Sequence, residues 1–153
     1  DAVKALDHGF NSLWVSNHGG RQLETSVPTI DVLPSIRAAV GKDVEIVIDG
    51  GIMRGTDIAK AIAMGADSVG VGKAYLYGLA AGGKPGVRKA IDTLHVELER
   101  AMGLLGVRTV EELKRRGPEL IKKRRTSDWP PKDFVASKVV DERPAKIAIE
   151  QAA

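Results

Sequence analysis

His18 and Arg21 lie three positions apart in the segment Ser16-Asn17-His18-Gly19-Gly20-Arg21. An imidazole titrates near neutral pH and can serve as a general base. A guanidinium offers a planar fork that grips a carboxylate through two parallel hydrogen bonds. Base and anion clamp together are what a hydroxy-acid substrate requires. The other two histidines lack such a setting. His8 ends a short helix before Gly9, and His95 lies beside a helical stripe, so both read as structural or surface groups.

Two more glycine-rich segments carry polar chemistry. The first is Asp49-Gly50-Gly51-Ile52-Met53-Arg54-Gly55, with Thr56 and Asp57 opening a helix. The second is Gly72-Lys73, leading into the short stretch 74–81. Glycines let backbone N–H groups approach an anion, and a helix N-terminus adds the favourable end of its dipole. Two such nests predict a phosphate site. Neither segment has the G-x-G-x-x-G or Walker pattern, so dinucleotide and P-loop sites have no support.

The elements that must position these residues alternate. Strand-like runs at 12–16, 44–48 and 68–71 are separated by helical patterns at 28–40 and 56–64. A longer helix is predicted over 85–105, with Pro85 in its first turn and Gly106 at its stop. Thr109-Val110-Glu111-Glu112 has capping-box spacing and opens a last helix. Strands joined by single helices imply a parallel sheet with right-handed crossovers. Three strands cannot close a barrel, which leaves a truncated (β/α)8 barrel or a small doubly wound domain. Every polar glycine-rich segment follows a strand, the position of active sites in (β/α)8 barrels. The expected division is 1–125 for this α/β unit and 126–153 for an irregular tail.

Composition narrows the classes. The chain has 153 residues, 43% apolar, with 17 glycines and no cysteine. Disulfides, thiolate catalysis and cysteine-based metal sites are thereby excluded. The net charge of +3 is concentrated in 114–125. No aromatic residue interleaves with that run, so it reads as a solvated helix face and not as a nucleic-acid surface. No apolar run spans a bilayer and no secretory signal pattern opens the chain, so a cytoplasmic setting, with peripheral membrane attachment as an option, is expected. Asp1 begins inside what reads as a helix in progress, without an initiator Met, so a fragment of a longer protein is expected.

Three segments together resemble the FMN-dependent 2-hydroxy-acid oxidases and dehydrogenases, the group of glycolate oxidase, lactate oxidase, flavocytochrome b2 and mandelate dehydrogenase. They are S-N-H-G-G-R-Q-L-E, D-G-G-I-M-R-G-T-D-I-A-K-A-I-A-M-G-A and V-G-V-G-K-A-Y-L-Y-G-L-A-A-G-G, in order, within roughly residues 1–113. The resemblance implies strands six to eight of a (β/α)8 barrel, with five earlier strands absent. It makes His18 the catalytic base and Arg21 the substrate-carboxylate ligand. It sets Ser16, Asp49, Gly50, Gly51, Met53, Arg54, Gly72 and Lys73 around FMN and its phosphate. The implied reaction turns an (S)-2-hydroxy acid, lactate- or glycolate-like, into the 2-keto acid, with a proton passing to His18 and two electrons to the flavin.

Three positions depart from the family pattern. Met53 and Lys73 stand where arginines are usual, and Glu24 replaces an aspartate. The family's substrate-contacting tyrosines, the lysine near the flavin and the carboxylate that orients the histidine belong to the absent strands. Residues 1–153 alone are therefore expected neither to hold FMN tightly nor to turn over. Resemblance also implies a homo-oligomer, a tetramer in relatives, with 126–153 wrapping a neighbour. Two other readings stay open. One is another phosphate-binding FMN barrel such as type 2 isopentenyl diphosphate isomerase, and the other is a non-catalytic module that binds anionic partners through its basic helix.

Overall fold

The computed structural model describes residues 1–121. Helix α1 (Ala2–Asp7) precedes β1 (Ser12–Val15), α2 (Thr29–Val40), β2 (Glu45–Ile48), α3 (Gly55–Ala63), β3 (Ser68–Val69), α4 (Lys73–Leu105) and α5 (Val110–Leu120). The three strands form one parallel sheet in the order β1-β2-β3, with Leu13 beside Ile46 and Ile48 beside Val69.

Alternation along the strands decides which face is covered. Ile46 and Ile48 are buried on the helical side, while Glu45 and Val47 point to the other. In β1 the partly buried Leu13 and Val15 share the helical face, and Trp14 lies 64% exposed on the opposite one. Leu33 of α2, Ala59 and Ile62 of α3, and Leu113 of α5 complete the core.

Two glycines permit the helices to touch. A Cβ on Gly55 would lie 2.2 Å from the backbone N of Leu98, and one on Gly117 would lie 2.0 Å from the carbonyl oxygen of Ala63. So α4 and α5 both rest on α3 through backbone contacts that no larger residue allows.

The end of the sheet where the strands begin is riveted by one carboxylate. Asp67, just before β3, accepts from Arg37 of α2, from the Ile46 amide at 2.8 Å and from Lys114 of α5. Arg37 also donates to the carbonyls of Gly65, Gly41 and Val44 at 2.7–2.8 Å. Partial burial opposes ionisation of Asp67, but hydrogen bonds from Lys114 and Ile46, with both cations close by, outweigh it and lower its pKa.

Two expectations are refined. The helix predicted from Pro85 is the second half of α4, which begins at Lys73 and breaks at Gly82 and Gly83, whose backbone angles are not helical. Gly83 has φ +58°, a value that favours glycine. The capping box at α5 is half formed: Thr109 Oγ1 accepts from the Glu112 amide at 3.1 Å, but the Glu112 carboxylate takes the Arg108 amide at 2.9 Å instead of that of Thr109. The tail 126–153 and the cations Lys122 to Arg125 lie outside the described residues. Among the described residues, no helix is long and apolar enough to cross a membrane.

Candidate active site

The loop after β1 is a tight turn built around His18. Ser16 Oγ accepts from the His18 amide at 3.1 Å, and Asn17 Oδ1 accepts from the Gly19 amide at 3.0 Å. The Gly20 amide then donates to the Asn17 carbonyl at 3.0 Å. These bonds hold His18 at φ +53°, and it is the one non-glycine residue with positive φ among those described. A β-carbon at such a φ is disfavoured, and that kind of local strain clusters at functional sites. Ser16 thus shapes the backbone of His18.

The loop after β2 is held from both neighbouring elements. The Asp49 amide donates to the Val15 carbonyl at 3.1 Å, and the Thr29 hydroxyl donates to the Asp49 carbonyl. Gly50 adopts φ +93°, and a Cβ there would stand 2.9 Å from Asn17 Oδ1 and from Thr29 Oγ1. Only glycine lets the first two loops meet.

The start of α3 is already closed. The Met53 and Arg54 amides donate to Asp57 Oδ2 at 3.2 and 3.0 Å, and the Gly55 amide donates to Glu97 Oε2 at 2.8 Å. Arg54 Nε reaches both Glu97 oxygens at 3.0 and 3.1 Å. The Arg54 guanidinium and then the Gly55 amide pull the Glu97 pKa down. The sequence pattern had offered this helix start as an anion nest, but its donors are occupied by the protein's own carboxylates. Arg54 is turned toward α4.

The third loop stays available. Gly72 precedes α4 without a side-chain cap, and Gly51 and Gly72 have nothing within 4 Å of a Cβ position. Lys73 reaches across to the first loop, its Nζ lying 3.8 Å from a Cβ position on Gly19. Among the described residues Lys73 has no carboxylate partner.

One open cleft of about 470 Å³ is bounded by Ser16, His18, Arg21, Asp49, Gly50, Gly51, Met53, Gly72 and Lys73. Of the residues that the family resemblance sets at the site, Arg54 alone is missing from this lining. The cleft also has walls that the sequence did not flag, among them Trp14, Gly70, Tyr75 and Leu76. Period-two spacing with Ser12 and Ser16 was the available signal for Trp14. No group of three metal-binding side chains occurs among the described residues.

The parallel β/α unit thus gathers glycine-rich loops, an imidazole, a guanidinium and a lysine without a carboxylate partner among the described residues at the C-terminal ends of its strands. Residues 1–120 match the FMN-dependent dehydrogenases as a family. The chain is 47% identical over 114 residues to an L-lactate oxidase of Lactobacillus jensenii, covering 74% of this chain and 28% of that protein. It is 46% identical over 113 residues to a pre-mycofactocin synthase of Mycobacterium tuberculosis, covering 74% of this chain and 28% of that one. A solved mandelate oxidase with benzoyl-formic acid superposes with a TM-score of 0.72 at 46% identity, covering 75% of this chain and 34% of that one. The chain therefore belongs to the FMN-dependent dehydrogenase family. It spans about three tenths of the length of these curated relatives.

Proposed function

We propose that the protein carrying this chain is an FMN-dependent oxidoreductase that converts a 2-hydroxy acid to the 2-keto acid. The described residues supply the sixth to eighth strands of its (β/α)8 barrel. The observation that carries this reading is the convergence of three strand-end loops on one cleft, with His18 strained into it and Arg21 beside it.

The residues present suit a flavin mononucleotide. The open positions over Gly51 and Gly72, together with the Lys73 cation and the uncapped start of α4, form a cradle for a phosphate that a β-carbon would fill. When bound, FMN would supply the acceptor for the substrate's two electrons. His18 takes one of the two hydrogens the substrate loses, as a proton. Arg21 holds the carboxylate and so fixes which carbon faces the cofactor. Relatives of nearly equal identity bear the names L-lactate oxidase and pre-mycofactocin synthase, so the substrate class rests on Arg21, whose fork suits a carboxylate. A cytoplasmic homo-oligomer is the accompanying proposal.

The basic-helix reading gains no support. Lys114 is engaged by Asp67 and Arg116 by Glu112 and Glu119, so these cations are spent within the fold. The test is His18→Ala in the intact protein, assayed with 2-hydroxy acids and an artificial electron acceptor. Turnover falls by about 10²- to 10⁴-fold while the flavin spectrum persists. Unchanged turnover would refute the role of His18, and absence of bound flavin in the wild type would refute the cofactor.

A further inference from the structure

Helix α4 is a folded corner and not a rod. In a straight helix, residues eight positions apart are separated by about 12 Å along the axis. Gly78 and Gly86 have that spacing in the chain. Yet a Cβ on Gly78 would lie 2.5 Å from the Gly86 carbonyl oxygen and 3.1 Å from the Ala90 Cβ. A Cβ on Gly86 would come closer still to the Gly78 carbonyl oxygen. The chain therefore turns back at Gly82 and Gly83, and 73–81 lies against the start of 84–105, backbone to backbone. Gly83 sits at φ +58° and ψ −142°, beside a region that glycine alone enters readily.

A seam this tight fixes both a distance and a direction. Segment 73–81 is little more than two helical turns long and starts at Lys73, whose ammonium reaches the His18 turn. Its first turn has no side-chain cap. Gly78 follows Lys73 by five residues, about 7.5 Å of helix. Contact at Gly78 thus decides where the lysine and the uncapped amides stand relative to the cleft. A larger residue at either glycine would move them together.

We propose that Gly78 and Gly86 are positioning residues for cofactor selection. Their contact sets Lys73 and the start of α4 where a flavin's phosphate is gripped, and the protein thereby prefers FMN to riboflavin. This rests on the functional reading above and extends it to two residues that touch no ligand. Riboflavin lacks only the phosphate, so the ratio of the two affinities isolates the grip from the rest of the pocket. A preset grip raises affinity because its groups need not be ordered when the ligand binds.

The test titrates apoprotein, prepared from the intact protein, with FMN and with riboflavin, and reads flavin fluorescence. Gly86→Ala drives a methyl group into the Gly78 carbonyl and displaces 73–81. FMN binding weakens about tenfold, the worth of one charge-assisted hydrogen bond, while riboflavin binding changes less than about twofold. Equal losses for both flavins overturn the proposal, because the seam would then serve the fold in general. Unaltered FMN binding in Gly86→Ala, or equal affinity of the wild type for the two flavins, overturns it as well. If Gly86→Ala does not fold, amide hydrogen exchange of residues 78–86 in the wild type decides. FMN slows that exchange more than riboflavin does at equal occupancy, and equal protection overturns the proposal. Wild-type apoprotein that binds neither flavin refutes the flavin reading itself, an outcome distinct from any change in the ratio.

Discussion

His18 and Arg21 differ in how the fold treats them. His18 is locked by its own turn, through Ser16 and Asn17, into a left-handed conformation. Arg21 follows that turn with only its amide bound, to the His18 carbonyl at 3.4 Å. Its contribution lies in the guanidinium. Arg21→Lys preserves charge and loses the fork, so KM for the 2-hydroxy acid rises by about 10- to 100-fold while FMN affinity is unchanged. Steady-state kinetics beside a flavin titration check this, and a loss of FMN binding would move Arg21 to the cofactor. The sequence made this pair legible because imidazole and guanidinium advertise their chemistry by type. Trp14 was not legible, since an aromatic in a strand suits β-structure for reasons unrelated to a site. The pairing of Arg54 was not legible either, since Glu97 lies far along the chain and only the fold brings it beside that cation.

At the scale of elements, the strands were legible to within a residue or two from β-branched runs and their alternation. Helix α4 was legible only from Pro85 onward. Its first half, 73–81, is short and carries two tyrosines and a glycine, and the Gly82-Gly83 break hides its continuity with the rest. Packing of helix on helix could not be read at all, because it depends on which glycine meets which backbone. Gly117 makes the point quantitatively. Helix propensity alone favours Ala there by about 1 kcal/mol. The Ala63 carbonyl oxygen, 2.0 Å from the new methyl carbon, forces α5 away from α3. Overpacking of this kind costs about 1–3 kcal/mol, so Gly117→Ala is expected to be net neutral to destabilising by about 2 kcal/mol. Urea denaturation measures this, and a stabilised variant would show that α5 does not rest on that oxygen.

For the whole molecule, Asp67 ties α2, α5, β2 and β3 at one end of the sheet. Its pKa in the folded chain is lowered, with Lys114 as the main stabilising partner. A carboxylate of this kind contributes stability that is present above its unfolded pKa of about 3.9 and is lost as pH falls through the lower folded value. Asp67→Asn therefore lowers stability at neutral pH and flattens the fall in stability below about pH 4. Denaturant midpoints from pH 3 to 7 give the comparison, and parallel profiles for variant and wild type would show that another carboxylate sets the acid limb. The cleft lies at the other end of the same strands, where the Asp49 and Gly72 loops begin. The Asp67 ion-pair cluster and the cleft are thus kept at opposite poles. Substitutions among the loops can redirect the choice of substrate without loosening the rivet, and the rivet can be strengthened without disturbing the loops. Such a layout lets adaptation and robustness be tuned separately, which suits a scaffold whose relatives bear several different enzyme names.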